Sequence, residues 1–297
     1  MGFSADSIES AVEEFLERHV RRNYRPKPMR EAERLLRLHV VGNWSGRRVS
    51  DISRADVRRM LERIVERGAP IAANRVHSVT GTLFNWLVGQ EIIAASPCAG
   101  LKAPAGNENP RDRVLSDHEL RQVWQTAGEL GPYGAMVRLL ILTGQRRGEV
   151  AGMEWGELDL EDRLWMLPRE RVKNKRRHEV PLSPQAVAII QSLPRISDKY
   201  AFSSNGTAPA NNFSYNWARL RGLLGDMPPW VIHDLRRTAA SGMARLGIGL
   251  AVIEKVLNHV GGSFAGIVGV YQRHEFADEK RAALEKWADH VEQLVQP

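Results

Sequence analysis

Apolar residues recur at helical spacing through the first third of the chain. Ile8, Phe15 and Leu16 fall on one helical face, and the spacing resumes after a break with two prolines at residues 24–28. Further helices are predicted over residues 29–41, 53–67 and 73–91, and Ser53 with Asp56 is typical of a helix start. The last helix is expected to bury Val76, Val79, Leu83, Trp86 and Leu87. The pattern therefore predicts a small all-helical unit.

The pattern changes after residue 95. Residues 96–113 hold three prolines and two glycines but few apolar positions, which is typical of a linker. Ser116 and Glu119 then form the signature of a capping box at the start of a helix. Two β-like runs, at residues 163–167 and 178–182, are joined by a basic turn and predict a hairpin. Further helices are predicted over residues 136–143, 183–193, 217–224, 232–246, 250–258 and 276–295.

These elements predict a mainly α-helical fold with one small β-hairpin or sheet. We place a helical domain at residues 1–105, a linker at 106–114 and a mixed α+β domain at 115–297. The chain has 297 residues, of which 43% are apolar, so it is long enough for two cores. No run of about 20 apolar residues predicts a membrane span, and the N-terminus lacks a secretory signal. The single cysteine, Cys98, excludes an internal disulfide, and no Cys/His grouping has zinc-site spacing.

The chain is basic, with a formal net charge of +7 and a pI near 9.8, and most of the excess lies in the N-terminal third. A basic balance favours a polyanion partner, although many solvated helical proteins are equally basic. We expect about half of the cations on the outer faces of the helical unit to contact phosphate. The candidates are Arg21, Arg22, Lys27, Arg30, Arg58, Arg59 and Arg75.

Five polar motifs follow one another in the second half of the chain. They are GQRRGE at 144–149, VKNKRRHEV at 172–180, HDLR at 233–236, LNH at 257–259 and GVYQRH at 269–274. Together they supply permanent cations, hydrogen-bond donors and one phenol, the groups needed to attack a phosphodiester covalently without a metal. Each motif alone is weak evidence, whereas the whole set in this order is specific.

Two arginines are candidates for binding the phosphate. Arg146 has Glu149 three residues on, so a helix would place both on one face and let the carboxylate orient the guanidinium. His233 and Arg236 are also one turn apart, but spacing alone does not choose Arg236 over Arg237. Taken alone, the Arg146 motif could be an ordinary surface ion pair. A lone His-x-x-Arg spacing is also common and by itself indicates no function.

The remaining motifs hold the candidate acid and nucleophile. Lys173 lies in the basic turn of the hairpin, where a long amine could protonate a leaving alkoxide, and Lys175 could do the same. The cation Arg176 in this turn is a further candidate DNA contact. Tyr271 could attack phosphorus if neighbouring cations favoured its phenolate, although a packed aromatic is the ordinary role of a lone tyrosine.

With these motifs in this order, the chain resembles the tyrosine recombinase (phage integrase) family, and in particular the integrases of prophages and genomic islands. The resemblance covers nearly the whole sequence. The helical unit looks like the family's core-binding, SAM-like DNA-binding domain, and residues from about 112 look like its catalytic domain. The resemblance implies a two-domain, C-shaped clamp around double-stranded DNA.

The resemblance also implies a role for each motif residue. Arg146 and Arg236 would bind the scissile phosphate, and Glu149 would be the supporting carboxylate. Lys173 would be the general acid, His233 would assist as acid or base, and His259 would donate a hydrogen bond to phosphate. Tyr271 would attack and become linked to a 3′-phosphate. Since this intermediate stores the bond energy, no ATP, metal or other cofactor is implied.

The implied partners are double-stranded attachment sites. A protein that is monomeric when free would assemble as a homo-tetramer on two duplexes and exchange strands through a Holliday junction, with accessory DNA-bending proteins and a directionality factor as further partners. Helix 276–295 looks like the family's subunit-linking C-terminal segment, which docks on a neighbour. The expected location is the bacterial cytoplasm, on the nucleoid, without membrane contact.

Two features depart from the simplest members of the family. Asn258 stands where a glycine is more usual, and the glycine-rich residues 260–270 suggest a mobile nucleophile that is withheld until assembly. We also expect no arm-binding domain before Ile8, so the chain is either an engineered fragment, which Met1-Gly2 favours, or a recombinase without arm sites. The alternatives are a Xer-type resolvase, a type IB topoisomerase-like strand transferase and a DNA-binding regulator without chemistry.

Overall fold

The computed structural model describes residues 6–106, 111–172, 174, 176–259 and 276–296. The chain divides into two compact units, Met1–Pro110 and Arg111–Pro297, each with its own hydrophobic core. The finer limits at 105 and 115, and the linker between them, stay predictions. No helix among the described residues is both long enough and apolar enough to cross a membrane.

The regular secondary structure of the first unit, over its described residues, is helical apart from an isolated β-bridge between Ser7 and Arg48. Its helices are α1 (Ile8–Phe15), α2 (Arg21–Asn23), α3 (Pro26–Leu35), α4 (Gly42–Trp44), α5 (Arg54–Glu66) and α6 (Pro70–Gly89). A π-helical segment, Leu16–Val20, joins α1 to α2, and a second one, Leu36–Val41, joins α3 to α4. The break predicted at residues 24–28 is shorter than expected, because Pro26 occupies the first turn of α3, where a missing N–H costs nothing.

The core of the first unit lies between α1, the continuous segment formed by α3, Leu36–Val41 and α4, and helices α5 and α6. Its largest fully buried side chains include Phe15, Leu36, Met60 and Phe84. The predicted face of α6 is slightly rotated, because Val79 and Trp86 are only half-buried whereas Thr80 and Phe84 are buried. The cap of α5 is as predicted, with Ser53 and Asp56 bonded reciprocally.

The second unit packs helices around a small antiparallel sheet. Its helices are α7 (Asp117–Ala127), α8 (Gly131–Thr143), α9 (Arg147–Ala151), α10 (Pro184–Gln191), α11 (Phe213–Leu224), α12 (Ile232–Arg245), α13 (Leu250–Val256) and α14 (Ala277–Val295). Its strands are β1 (Leu158–Asp159), β2 (Leu164–Leu167) and β3 (His178–Pro181), in the order β1-β2-β3. The predicted hairpin is thus present, and it is extended by a two-residue strand that the sequence pattern missed.

Helix α8 is the centre of the second unit. Most of its side chains are buried, including every one from Leu139 to Thr143, and it contacts α7, α10, α12 and α14. The indole Nε1 of Trp287 on α14 donates to the carbonyl of Ile141, at 2.8 Å. The apolar face of α14, including Leu284 and Val291, is therefore covered by its own unit in this structure. Docking of this helix on a neighbouring subunit stays a prediction.

Candidate active site

Arg146 lies at the junction between α8 and α9. Gly144 ends α8 in the left-handed conformation, with φ 63°, and Arg146 then takes an extended conformation directly before α9. The carboxylate of Glu149 accepts from the backbone N of Arg146 at 3.0 Å and from its Nη1 at 2.9 Å. Because Glu149 is buried and bonds to both groups, it fixes the direction of the guanidinium. The two residues do not share a helical face as expected, since Arg146 precedes α9 and pairs with Glu149 in a capping arrangement.

Arg236 reaches the same junction from α12. Its side chain is buried, its Nη1 donates to the carbonyl of Gly144 at 2.7 Å, and its Nη2 donates to the carbonyl of Leu257. Arg237 instead pairs with buried Asp234, at 2.6 Å. The structure thus separates two arginines that spacing could not, because Arg236 faces Arg146 whereas Arg237 anchors the start of its own helix.

The end of α13 completes the cluster with three successive backbone carbonyls. The carbonyl of Leu257 accepts from Arg236, and that of Asn258 accepts from Arg146 at 3.5 Å. The carbonyl of Val256 accepts from Gln145 Nε2 at 2.9 Å and from the imidazole Nε2 of His178 at 3.2 Å. Carbonyls at a helix C-terminus lack partners within the helix and carry partial negative charge, so they attract cations and donors.

Gln145 and His178 are site components that sequence reasoning did not single out. Both lie inside the quoted motifs, so membership of the motif was the only signal available. Both are buried. Burial, reinforced by the charge of Lys280, lowers the pKa of His178 to about 3, so its neutral ring donates to Val256.

Two further histidines lie in the field of the arginines. Partial burial lowers the pKa of both His233 and His259, and the charges of Arg236 and Arg146 lower each further. Burial, with the nearby charge of Arg146, also lowers the pKa of Arg236 to about 10, which leaves it charged at neutral pH. The site is therefore a cationic cluster with neutral imidazoles at its edge, an arrangement suited to an anion.

Several predicted residues lie outside the described part of the chain. These are Lys173, Lys175, Tyr271 and the glycine-rich residues 260–270. Of the turn that carries the two lysines, Asn174 and Arg176 are described, and Arg176 is exposed. Within the described ranges, no group of three or more His, Cys, Asp or Glu side chains is placed to hold a metal ion.

The predicted DNA contacts of the first unit are all exposed. Arg21 and Arg59 form ion pairs with Glu17 and Asp56 within their own helices. The others make no ion pair with any residue that the structure describes, which leaves their charge available to a polyanion. They are Arg22, Lys27, Arg30, Arg58 and Arg75.

Two family models and several curated proteins match this chain. The model of the family described as "Phage integrase family" matches residues 111–277, and that of "Phage integrase central domain" matches residues 8–104. Prophage integrase IntZ of Escherichia coli K12 is 30% identical over 256 residues, which cover 84% of this chain and 62% of the relative. Prophage integrase IntA of the same strain is 26% identical, over 82% of this chain and 61% of the relative. The chain thus spans about three fifths of the length of these relatives.

Solved structures share the fold. A lambda integrase tetramer bound to a Holliday junction superposes with a TM-score of 0.73 and 17% identity, covering 86% of this chain and 78% of that chain. The Tn1549 transposon integrase in complex with circular intermediate DNA gives a TM-score of 0.68 and 15% identity, covering 94% of this chain and 99% of that chain.

Proposed function

We propose that this chain, which belongs to the phage integrase family, is a site-specific DNA recombinase. It would integrate or excise a mobile element such as a prophage or genomic island. One observation carries the proposal: Arg146, Arg236, His233 and His259 come from three distant segments and share one cationic site. A scissile phosphate is an anion that such a site would bind, which supports the proposal.

The two guanidinium groups would hold the phosphate. They donate to the carbonyls of Gly144, Leu257 and Asn258, which keep them directed at one place. Arg146 is 27% exposed, so part of its donor edge is open to a ligand. Donors preorganised in this way stabilise charge that develops on the non-bridging oxygens, and each can be worth ~3–4 kcal/mol of the barrier.

Cleavage would proceed by transesterification. The Tyr271 oxygen attacks phosphorus, the bond from phosphorus to the 5′-oxygen breaks, and Lys173 gives that oxygen a proton. The lowered pKa of His233 leaves its imidazole neutral, so it can accept the phenol proton at neutral pH. His259 donates a hydrogen bond to the phosphate. The product is a 3′-phosphotyrosine linkage and a free 5′-hydroxyl, and the hydroxyl of a partner duplex reverses the step.

Strand exchange requires more than one subunit. We propose that four copies act on two attachment-site duplexes in the bacterial cytoplasm, helped by DNA-bending and directionality proteins. The resemblance to a lambda integrase tetramer bound to a Holliday junction supports this assembly. The exposed cations of the first unit would contribute phosphate contacts that hold each duplex.

Recombination between two plasmids tests the proposal. Each plasmid would carry the attachment site identified by sequencing the junctions of the integrated element. We expect the wild-type protein to join them and Tyr271→Phe to be inactive while still binding DNA. Relaxation of plasmids that lack the site, at the rate seen with it, would favour a topoisomerase. Binding without any strand breakage would favour a regulator.

A further inference from the structure

Asn258 occupies a backbone position that admits few residues. Its φ is 50°, in the left-handed region, directly after the end of α13. Glycine and asparagine adopt this conformation most readily, so the backbone accounts for either residue here. The conformation does not choose between the two, so a role specific to asparagine lies in its side chain.

The side chain of Asn258 reaches the hairpin turn. Its Oδ1 accepts from Asn174 Nδ2 at 2.6 Å, and both side chains are half-buried. Asn174 Oδ1 in turn accepts from the backbone N–H of Arg176 at 3.1 Å. Asn174 is the chain neighbour of Lys173, so the contact fixes the backbone next to the proposed general acid.

Other contacts hold only the base of this turn. Arg171 pairs with Glu157 and donates to the carbonyl of Glu149 at 2.7 Å. Arg177 contacts Met166 and Glu179, which belong to the same hairpin. Among the described residues 174 and 176, the Asn174–Asn258 contact is therefore the one hydrogen bond that ties the tip of the turn to the rest of the unit.

We propose that Asn258 is a positioning residue that couples the phosphate clamp to the general acid. The proposal rests on the function proposed above. The carbonyl of Asn258 meets Arg146 and its side chain meets Asn174, so one residue connects both halves of the site. A glycine would keep the first contact and lose the second. Asn258 would thus act through the position of Lys173 without touching the DNA.

A substrate with sulfur in place of the bridging 5′-oxygen isolates this effect. A thiol ionises near pH 8–9 whereas an alcohol does not, so the sulfur leaves without a proton from the enzyme. The variants are Asn258→Gly, which suits the backbone, Asn174→Ala, which removes the partner, and the double variant. Lys173→Ala is the reference for complete loss of the acid. Single-turnover cleavage of nicked attachment-site duplexes, normal or sulfur-substituted, would be measured for each.

We expect Asn258→Gly and Asn174→Ala each to slow cleavage of the normal duplex by about 10- to 100-fold. Both should cleave the sulfur duplex within about threefold of wild type, and the double variant should be no slower than the slower single variant. Equal slowing on both duplexes, or no slowing on either, would overturn the inference. Failure of the sulfur duplex to rescue Lys173→Ala would instead refute the acid assignment, and absence of cleavage by the wild type would refute the proposed function.

Discussion

Replacing Arg146 by alanine should separate catalysis from DNA binding. Its guanidinium is held by Glu149 at 2.9 Å and is partly open to solvent, as expected for a ligand of the transition state. Losing one such donor raises the barrier by ~3–4 kcal/mol, which slows cleavage by roughly 100- to 1,000-fold. Affinity should fall by less than about tenfold, because in the proposed function Arg146 shares the contacts to the DNA backbone with many other cations.

The neighbouring residue provides a matched control. Arg147 carries the same charge but is exposed, and its guanidinium stacks on the ring of Phe213 at 4.6 Å. Arg147→Ala should therefore cleave within about threefold of wild type. Single-turnover formation of the covalent adduct and equilibrium binding would be measured on one duplex at one salt concentration. Thermal unfolding of both variants would check the fold. The hydrogen bond from the backbone N–H at position 146 to Glu149, 3.0 Å long in the wild type, needs neither arginine side chain, so we expect both variants to fold.

Two results would refute this reasoning. If Arg146→Ala weakens binding by the same factor as cleavage, Arg146 holds the ground state and gives no extra stabilisation to the transition state. If Arg147→Ala slows cleavage as much as Arg146→Ala, only the net charge of the segment matters, and the geometry around Glu149 has no catalytic consequence.

Three further predictions concern stability and binding. A Cβ at Gly242 would lie 2.2 Å from the Trp287 ring, so Gly242→Ala should lower the free energy of unfolding, measured in urea, by about 1–3 kcal/mol. Gly222→Ala, whose Cβ enters open space, should not. Equal stabilities of the two variants would show that α14 does not pack on α12. His178 has a folded-state pKa of about 3, against about 6.5 when unfolded, so the free energy of unfolding of the wild type should fall as the pH drops through this window. The fall should be steeper than that of His178→Gln by up to about 1.4 kcal/mol per pH unit. Parallel declines would contradict the burial of His178 as a neutral ring. Replacing Arg22 and Arg30 together by glutamine should reduce the salt dependence of DNA binding by about two counterions. Arg34→Gln, which removes a guanidinium 2.8 Å from Glu31, should change the salt dependence less. A double variant with the same salt dependence as the wild type would exclude Arg22 and Arg30 as phosphate contacts.

Helix starts were predictable because the chemistry of a cap is local. Ser53 with Asp56, and Ser116 with Glu119, form the reciprocal bonds that their spacing suggested. Helix starts without a side-chain cap, and helix faces, were predicted less well, since they depend on what lies opposite. Helix α11 begins at Phe213, four residues earlier than expected, and Lys280 is buried with its amine donating to the carbonyl of Glu179 at 2.9 Å.

Among the described residues, the motifs pointed to the arginines and to His233 and His259, but not to the contacts among them; the roles of Lys173 and Tyr271 stay predictions. Arg236 could be distinguished from Arg237 only once the carbonyls of Gly144 and Leu257 were placed beside it. The contact between Asn174 and Asn258 joins residues 84 positions apart. Periodicity reports the face of a helix on which a residue lies, whereas the partner on that face is set by the packing of distant segments.

The central claim is that a tyrosine oxygen replaces the 5′-oxygen on one phosphate of DNA. Peptide mapping by mass spectrometry of the adduct trapped on a nicked attachment-site duplex tests it most directly. We predict one modified peptide, with a nucleotide 3′-phosphate on Tyr271 and a free 5′-hydroxyl on the released strand, and no adduct from Tyr271→Phe. Attachment at any other residue, or through a 5′-phosphate, would contradict the account.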